Sequence, residues 1–344
     1  MRIALVSSAI PLVFGGGRFI VEWLGSKLTE AGHEVEVVWI PSVDDASLLF
    51  SQMAAFRMID LEHTCDRVIT FRPPSHMIRH SKKVVWLLHL VRAYYDLWDS
   101  PYRVEPDTAY WKSFRRALTV ADTNALIEAR AVYTISNVVS DRLRRYTNIE
   151  GEALYPPVFA PERYHCEGWG GEIVGVGRLE RHKRQHLLIE AMRHVRTPVT
   201  LRLAGDTIDS SYVDDLNAMI ARFDLSGKVT LDRRWISEEE KIALLSGALA
   251  SAYFPYDEDY GYPTIEAAHA QKATVGARDG GGVTEFIKDG ENGFLVSPDP
   301  KAIADAFDRL WSDRDLARNL GTAARERIDE MGIGWDRVVE RLLA

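Results

Sequence analysis

Short apolar runs alternate with amphipathic stretches along the first half of the chain, and this spacing predicts strands followed by helices. Between the first two runs, residues 19–31 carry Phe19, Trp23, Leu24 and Leu28 at helical spacing, and Gly32 ends the predicted helix. The segments predicted as strands in this half are residues 3–7, 35–40, 67–71, 84–88, 131–135 and 153–155.

The same alternation restarts after residue 171. Predicted strands cover residues 172–176, 199–204, 228–231, 248–254, 274–276 and 293–296, and predicted helices cover residues 184–194, 212–223, 238–245 and 263–270. The tail, residues 301–344, reads as helical with a break near Gly332 and Gly334. Strands that alternate with helices indicate a parallel, doubly wound sheet.

A break in this pattern separates the two halves. Pro156, Pro157 and Pro161 interrupt the alternation, and a polar, glycine-rich run at residues 166–171 follows. We therefore expect an α/β protein with two Rossmann-like, doubly wound domains that face each other across a cleft. The expected domains are residues 1–160 and 161–330, and a helix at 331–344 is expected to cross back to the first domain.

Composition places the 344 residues among soluble globular proteins, because 46% are hydrophobic and 27% are charged. No apolar run approaches the roughly 18 residues of a membrane-spanning helix, and the N-terminus reads as a strand rather than a signal peptide. Cys65 and Cys166 fit no metal or redox spacing, so we expect free, at least partly buried thiols. A cytoplasmic location follows as the expectation.

Charge is distributed unevenly along the chain. The net charge of −8 arises entirely after residue 155, since residues 1–155 hold 18 basic and 18 acidic side chains. Within that neutral half, the region from Arg67 to Arg116 carries ten basic and four acidic residues. It could face an anionic acceptor or the inner face of a membrane, or it could be an ordinary solvated surface. The acidic total argues against nucleic-acid binding.

Two glutamates flank a glycine turn in residues 256–266, which follow an apolar strand and open a helix. Glu258 falls in the loop at the strand end, and Glu266 falls one turn inside the helix that begins near Pro263. Open α/β sheets bind ligands beyond the carboxyl ends of their strands. Carboxylates accept hydrogen bonds from hydroxyls, so this pair suits a ligand with vicinal diols.

A basic loop follows the first strand of the second half. Arg178 and Lys183 are close enough in sequence to meet over one anionic group, such as a diphosphate. Gly177 precedes them, but neither a complete dinucleotide fingerprint nor a P-loop motif is present. A solvated basic loop is the alternative interpretation.

Glycine loops and a histidine mark further strand ends. Gly16 and Gly17 lie between the first strand and the first helix, where backbone N–H groups can approach a ligand. His89 ends a buried apolar run, and residues 280–282 are three glycines that follow another strand and precede a predicted helix. A flexible turn is the alternative for the first glycine run, and the alternative for residues 280–282 is that they only shape the loop.

Together these residues resemble the retaining glycosyltransferases of family 4, which have the two-domain GT-B fold. The spacing Glu258-x7-Glu266 is the most specific part, and Arg178 with Lys183 stands in the expected order. Carried over by position, the resemblance implies that Arg178 and Lys183 bind the donor diphosphate. It also implies that Glu266 binds the ribose hydroxyls and that Glu258 contacts the transferred sugar.

The resemblance assigns five further residues. It implies that Gly16 and Gly17 approach the donor from the other domain, and that His89 lies by the reacting sugar. Backbone near Gly261 and Tyr262 is expected to contact the donor sugar or phosphate. The catalytic set expected from the resemblance is His89, Arg178, Lys183 and Glu258, without a metal.

The function expected is transfer of a sugar, with retention, from a nucleotide-diphosphate-sugar to an acceptor hydroxyl in glycan, polysaccharide or glycolipid biosynthesis. No cofactor is expected beyond the donor substrate, whose base (UDP or GDP type) stays open. The acceptor could be a sugar, a lipid-linked molecule or a small molecule. A nucleotide-sugar 2-epimerase and a non-catalytic, nucleotide-sugar-binding partner subunit are the alternatives.

Overall fold

The computed structural model describes residues 1–12, 15–43, 45–207 and 209–344. The chain divides into two compact units, one of Met1–Pro157 with Ile333–Ala344 and one of Val158–Gly332. Each unit is built on one six-stranded sheet. Nowhere in the described ranges is a helix long and apolar enough to cross a bilayer.

The first unit has a wholly parallel sheet with helices beside it. Its strands are β1 (Arg2–Ala9), β2 (Glu34–Pro41), β3 (Arg67–Thr70), β4 (Lys83–Leu87), β5 (Ala131–Thr134) and β6 (Glu152–Ala153). Its helices are α1 (Gly16–Glu30), α2 (Ala46–Arg57), α3 (Ala109–Ile127), α4 (Asn137–Thr147) and α11 (Trp335–Leu343). The strand order is β2-β1-β3-β4-β5-β6.

Apolar side chains on the central strands form the core of this unit. Val6, Val68 and Val85 are fully buried, as expected of parallel strands that helices cover on both faces. The last helix is tied to β3, because the Arg67 guanidinium donates to the Leu342 carbonyl at 2.7 Å. The C-terminal residues therefore complete the first unit rather than the second.

The second unit repeats the architecture with a different strand order. Its strands are β7 (Glu172–Val176), β8 (Thr200–Ala204), β9 (Val229–Asp232), β10 (Ala250–Tyr253), β11 (Thr274–Ala277) and β12 (Gly293–Val296). Its helices are α5 (Gln185–Ala191), α6 (Ser210–Arg222), α7 (Glu238–Gly247), α8 (Tyr262–His269), α9 (Pro300–Ser312) and α10 (Arg314–Glu330). The order is β12-β11-β10-β7-β8-β9, and all pairings are parallel.

This order places a topological switch point between β7 and β10. From β7 the chain winds outward through β8 and β9, then returns to β10 on the other side. Loops that leave these two neighbouring strands diverge and open a crevice at their carboxyl ends, where doubly wound sheets bind their ligands. In the first unit the corresponding point lies between β1 and β3.

The predicted α/β class with two doubly wound parallel sheets is confirmed. The differences lie at element ends: α1 begins at Gly16, three residues before the predicted start, and the C-terminal tail has an additional break at Asp313. The three glycines at residues 280–282 lead into a 3-10 helix, Gly282–Glu285, instead of the predicted helix. Both cysteines are free and half-buried, as expected.

Part of the basic region from Arg67 to Arg116 is buried and not on the surface. Arg67 is buried against the C-terminal helix, and Lys83 is fully buried. The Lys83 ammonium donates to three backbone carbonyls, those of His76, Ile78 and Ala125, at 2.8–3.1 Å. Burial lowers the pKa of Lys83 to about 8, although the nearby Glu128 carboxylate acts to raise it. These two cations stabilise the fold and cannot face a membrane.

Candidate active site

The predicted donor-binding residues of the second unit lie around its switch point. Arg178 and Lys183 belong to the loop that leaves β7, and Glu258 belongs to the loop that leaves β10. These two loops come together because β7 and β10 are hydrogen-bonded neighbours. The site therefore follows from the strand order.

Lys183 and Glu258 form a half-buried ion pair with Tyr253 beside them. The Lys183 ammonium contacts a Glu258 carboxylate oxygen and donates to the Tyr253 hydroxyl at 3.1 Å. The Tyr253 hydroxyl in turn donates to the same Glu258 oxygen at 3.3 Å. The side chains of Lys183 and Glu258 are only 11% and 15% exposed. Two predicted site residues, far apart in sequence, are thus in direct contact.

The neighbouring carboxylate sets the charge of Lys183. Burial acts to lower the pKa of the ammonium, but Glu258 and Tyr253 outweigh burial, so the pKa of Lys183 is raised above its ordinary value. Burial and Glu258 raise the pKa of the Tyr253 hydroxyl, which is therefore a proton donor at neutral pH. A fixed ammonium at this sheet edge can bind a phosphate oxygen.

Arg178 is placed differently from Lys183. Its guanidinium pairs with Glu180 at 2.7 Å, and its side chain is 46% exposed. Arg178 and Lys183 therefore contact different carboxylates, Glu180 and Glu258, and their meeting over one anion stays a prediction. Each cation of the loop has its own carboxylate, which an anionic ligand would have to replace.

The backbone of the Glu258 loop is fixed by the glycine run that follows β11. The Glu258 N–H donates to the Gly280 carbonyl at 3.1 Å, and the Gly282 N–H donates to the Glu258 carbonyl at 2.7 Å. Gly281 between them has a φ of +62°, and a Cβ there would lie 2.4 Å from the Glu258 carbonyl oxygen. The run thus requires glycine in order to approach the loop, and its role is to position Glu258.

Arg184, which no sequence pattern singled out, also supports this loop. It is buried and donates to the Phe254 carbonyl at 2.8 Å and the Pro255 carbonyl at 2.9 Å. It also makes a two-point contact with the Asp279 carboxylate at 2.6 and 2.8 Å. One guanidinium therefore joins the loops after β7, β10 and β11. Its place within a basic run, next to Lys183, gave no sequence signal of burial.

Helix α8 carries the second glutamate. Gly261 caps the helix with a φ of +105°, Tyr262 is the first helical residue, and Glu266 lies one turn further on. The Gly261 carbonyl accepts from the Thr264 N–H at 3.0 Å. The predicted backbone contact near Gly261 and Tyr262 therefore falls at a helix N-terminus, where N–H groups favour anions.

Glu266 is buried and has one cationic neighbour within the described residues, Lys241 of α7, at 2.5 Å. The Lys241 ammonium also contacts Glu238 at 2.8 Å. Burial raises the pKa of Glu266, while Lys241 opposes this effect. Lys241 was not identified from the sequence, where it looked like one charge on a polar helix.

The predicted residues of the first unit lie at the carboxyl edge of its sheet. Gly16 and Gly17 begin α1 directly after the β1 loop. A Cβ on Gly17 would lie 3.2 Å from a Leu88 methyl group, so the helix start packs against the residue before His89. The Nδ1 atom of His89 lies 2.7 Å from the Leu90 carbonyl oxygen. The glycine loop and His89 are therefore neighbours in this unit.

Over the described part of the chain, no group of three or more His, Cys, Asp and Glu side chains is arranged to hold a metal ion.

Comparison with known proteins shows a family match for the second unit. Residues 171–327, nearly all of the second unit, match the model of the glycosyl transferases group 1 family. The alpha-1,3/1,6-mannosyltransferase ALG2 of Homo sapiens is 25% identical over 301 residues, which cover 77% of this chain and 68% of the relative. The chain is a glycosyltransferase of the GT-B fold. The predicted resemblance to family 4 is thereby confirmed, and transfer is supported over the epimerase and partner-subunit alternatives.

Solved structures with a similar fold match nearly the whole length of this glycosyltransferase. A sucrose-phosphate synthase from Thermosynechococcus elongatus has a TM-score of 0.81 at 19% identity, covering 99% of this chain and 97% of the other. Anabaena HepE in complex with UDP and glucose has a TM-score of 0.71 at 17% identity, covering 98% and 99%. At this identity the likeness concerns the fold of the glycosyltransferase.

Proposed function

We propose that this glycosyltransferase moves a hexose from a nucleoside diphosphate sugar to an acceptor hydroxyl, with retention of the anomeric configuration. The observation that carries the proposal is the contact of Lys183 with Glu258 at the switch point of the second sheet. A donor has an anionic diphosphate next to a sugar rich in hydroxyls. An ammonium and a carboxylate side by side are complementary to those two neighbouring parts.

The diphosphate is the proposed ligand of Lys183 and Arg178. Both cations are paired with carboxylates, so the donor phosphates would exchange places with Glu258 and Glu180 rather than enter an uncompensated cationic site. Glu258 would then be available for the sugar hydroxyls. Because Lys183 is held in a half-buried position, its charge acts in a medium that screens less than water. Such donors stabilise charge that develops on a leaving group.

The proposed reaction breaks the bond between the sugar anomeric carbon and the diphosphate oxygen. The acceptor oxygen forms the new bond on the same face, and its proton moves to an oxygen of the departing diphosphate. Lys183 and Arg178 stabilise the developing negative charge, so no enzyme nucleophile is required. His89 is proposed to contact the reacting sugar, and Gly16 and Gly17 to approach the donor through their backbone.

The ribose is the proposed ligand of Glu266, since two hydroxyls can each donate to one carboxylate oxygen. The backbone N–H groups at Gly261 and Tyr262 begin α8 and are proposed to contact the donor phosphate or sugar. The human relative is named a mannosyltransferase, which makes mannose the first sugar to test. The proposed acceptor is a sugar, a lipid-linked molecule or a small molecule with a free hydroxyl.

A thermal-shift screen tests the donor site. We expect one of UDP, GDP, ADP and dTDP, or a sugar conjugate of it, to raise the melting temperature equally with and without EDTA. Ligand at about 100 times its Kd stabilises by about 2.7 kcal/mol. Glu266→Ala should remove the shift because the ribose loses its acceptor. Glu326→Ala, on the exposed surface of α10 in the same unit, should retain it.

The outcome of this screen is decisive for the proposed function. A wild-type protein that no nucleotide or nucleotide sugar stabilises would contradict the donor site. Where one binds, incubation with that donor and candidate acceptors should give a glycoside. An epimerised donor in place of a glycoside would overturn the proposed reaction while leaving the binding site in place.

We also propose peripheral contact with an anionic membrane through the basic part of the first unit that remains on the surface. Lys112, Arg116 and Val120 are exposed and four residues apart on α3, so they share one face. Each basic residue near an anionic surface contributes about 1 kcal/mol. Lys112→Glu with Arg116→Glu should therefore lower binding to phosphatidylserine vesicles by at least about tenfold.

Sedimentation with vesicles measures this effect. Lys301→Glu with Arg318→Glu makes the same charge change on exposed positions of the second unit and should bind like wild type. Equal binding of the two double variants, or equal binding to neutral phosphatidylcholine vesicles, would rule out α3 as the contact.

A further inference from the structure

Helix α7 presents a lysine between two glutamates next to the proposed ribose site. Ser237 and Glu240 form a capping box that fixes the start of α7. Glu238 and Lys241, three residues apart, then share one face, and Lys241 reaches Glu266 of α8. The Lys241 ammonium is therefore in contact with both carboxylates at once.

The groups that face Glu266 come from three segments. Lys241 and Glu238 belong to α7, Tyr262 belongs to α8 itself, and Tyr164 lies in the segment before β7, where its hydroxyl donates to Glu238. Of these, Lys241 alone is cationic, and it is the cation that contacts Glu266 in the described chain. The two tyrosines and Glu238 supply no positive charge. Ionised Glu266 thus depends on Lys241.

We infer that Lys241 is a positioning residue that keeps Glu266 ionised and oriented toward the hydroxyl-rich part of the donor. This inference rests on the proposed function, since it assigns Glu266 to the ribose. An ionised carboxylate offers acceptors to two hydroxyls, whereas a protonated carboxyl loses part of that capacity. Lys241 touches Glu266 and need not touch the ligand.

Removal of the lysine charge should make donor binding depend on pH. Burial raises the pKa of Glu266 by disfavouring its charged form, and the Lys241 ammonium opposes that rise, so without Lys241 the Glu266 carboxylate should take up a proton more readily as the pH is lowered. Donor affinity should then fall as the pH is lowered. With Lys241 present, its ammonium contacts the carboxylate and opposes protonation, so the affinity should change little over the same change of pH.

The experiment measures the Kd of a nucleotide sugar, whose diphosphate does not titrate in this range. The probe is UDP-glucose or GDP-mannose, whichever stabilises the wild-type protein. For Lys241→Gln we expect the Kd to rise about tenfold between about pH 8 and about pH 6, in line with loss of a hydrogen bond to a charged group. Wild type and Lys241→Arg should each change by less than about twofold.

Two controls separate electrostatics from folding. Glu266→Gln should bind weakly at every pH, and addition of Lys241→Gln to it should create no pH dependence. If Lys241→Gln does not fold, Lys241→Met takes its place. The wild-type profile needs no variant, and a wild-type Kd that itself rises tenfold on acidification would overturn the inference.

The outcomes also distinguish this inference from the proposed function. A wild-type protein that binds neither nucleotide sugar would defeat the proposed function. Donor binding that is lost in Glu266→Gln but independent of pH in Lys241→Gln would defeat the inference alone. Donor binding that is unaffected by Glu266→Gln would remove Glu266, and with it Lys241, from the site.

Discussion

Replacement of Lys183 by alanine is expected to lower kcat by about 10²–10³-fold, the effect typical of removing one preorganised donor to developing charge. The expectation rests on the fixed position of the ammonium, which contacts Glu258 and the Tyr253 hydroxyl at the end of β10. Charge on the diphosphate increases as the glycosidic bond breaks. The loss should therefore be larger in kcat than in the Kd of the acceptor.

The same substitution has a second effect, on stability. It leaves Glu258 half-buried without its cation, and breaking one side of such a pair is costly. Lys183→Ala combined with Glu258→Gln removes that carboxylate charge, so the double variant should recover melting temperature without recovering kcat. Recovery of the melting temperature would assign the stability loss to the unpaired carboxylate, whereas the catalytic effect of Lys183 is measured in the single variant because Glu258 is itself a proposed contact of the sugar.

Steady-state kinetics with saturating donor, together with melting curves, measure both effects. Lys288→Ala is the control, since Lys288 is 53% exposed in the same unit. A kcat for Lys183→Ala within about threefold of wild type, far from the range expected for such a donor, would show that Lys183 does not act on the leaving group. Equal recovery of kcat and stability in the double variant would assign Lys183 a structural role only.

The strand positions and the parallel, doubly wound type of sheet were accessible from the sequence because buried parallel strands are continuous apolar runs. Strands β7 and β12 have the predicted bounds, and the predicted glutamate loop lies at the end of β10. The ends of the helices were harder to predict from the sequence. Helix α1 begins at Gly16, so the two glycines that were predicted as a loop are part of the helix. Propensity disfavours glycine in a helix, whereas a Cβ on Gly17 would lie only 3.2 Å from a Leu88 methyl group, so the close approach of Leu88 favours glycine at this helix start.

Charged residues were the least predictable part of the site. Arg178, Lys183 and Arg184 lie within seven residues, yet one pairs with Glu180, one with Glu258 and one with Asp279. Which partner each finds depends on three loops brought together by strand order, and sequence spacing does not contain that information. The burial of Arg67 and Lys83 was hidden for the same reason.

Arg184→Lys is the substitution expected to damage the loop framework most. Lysine keeps the charge but loses the planar fork, so it cannot hold the Phe254 and Pro255 carbonyls and both Asp279 oxygens at once. Breaking such a buried network costs on the order of 3 kcal/mol. For a domain of this size the melting temperature should fall by roughly 6–12 °C.

Arg184→Lys should also weaken donor binding, because Arg184 fixes the backbone just before the Glu258 loop. Arg193→Lys supplies the matched control, since Arg193 is 42% exposed and lies next to Glu190 and over the Phe223 ring rather than in a buried network. Melting curves and donor titrations of the two variants give the comparison. If Arg184→Lys melts and binds donor like Arg193→Lys, the loops after β7, β10 and β11 are held by their backbone hydrogen bonds. If Arg184→Lys lowers both the melting temperature and the donor affinity, the Arg184 guanidinium couples the fold of the second unit to the position of Glu258.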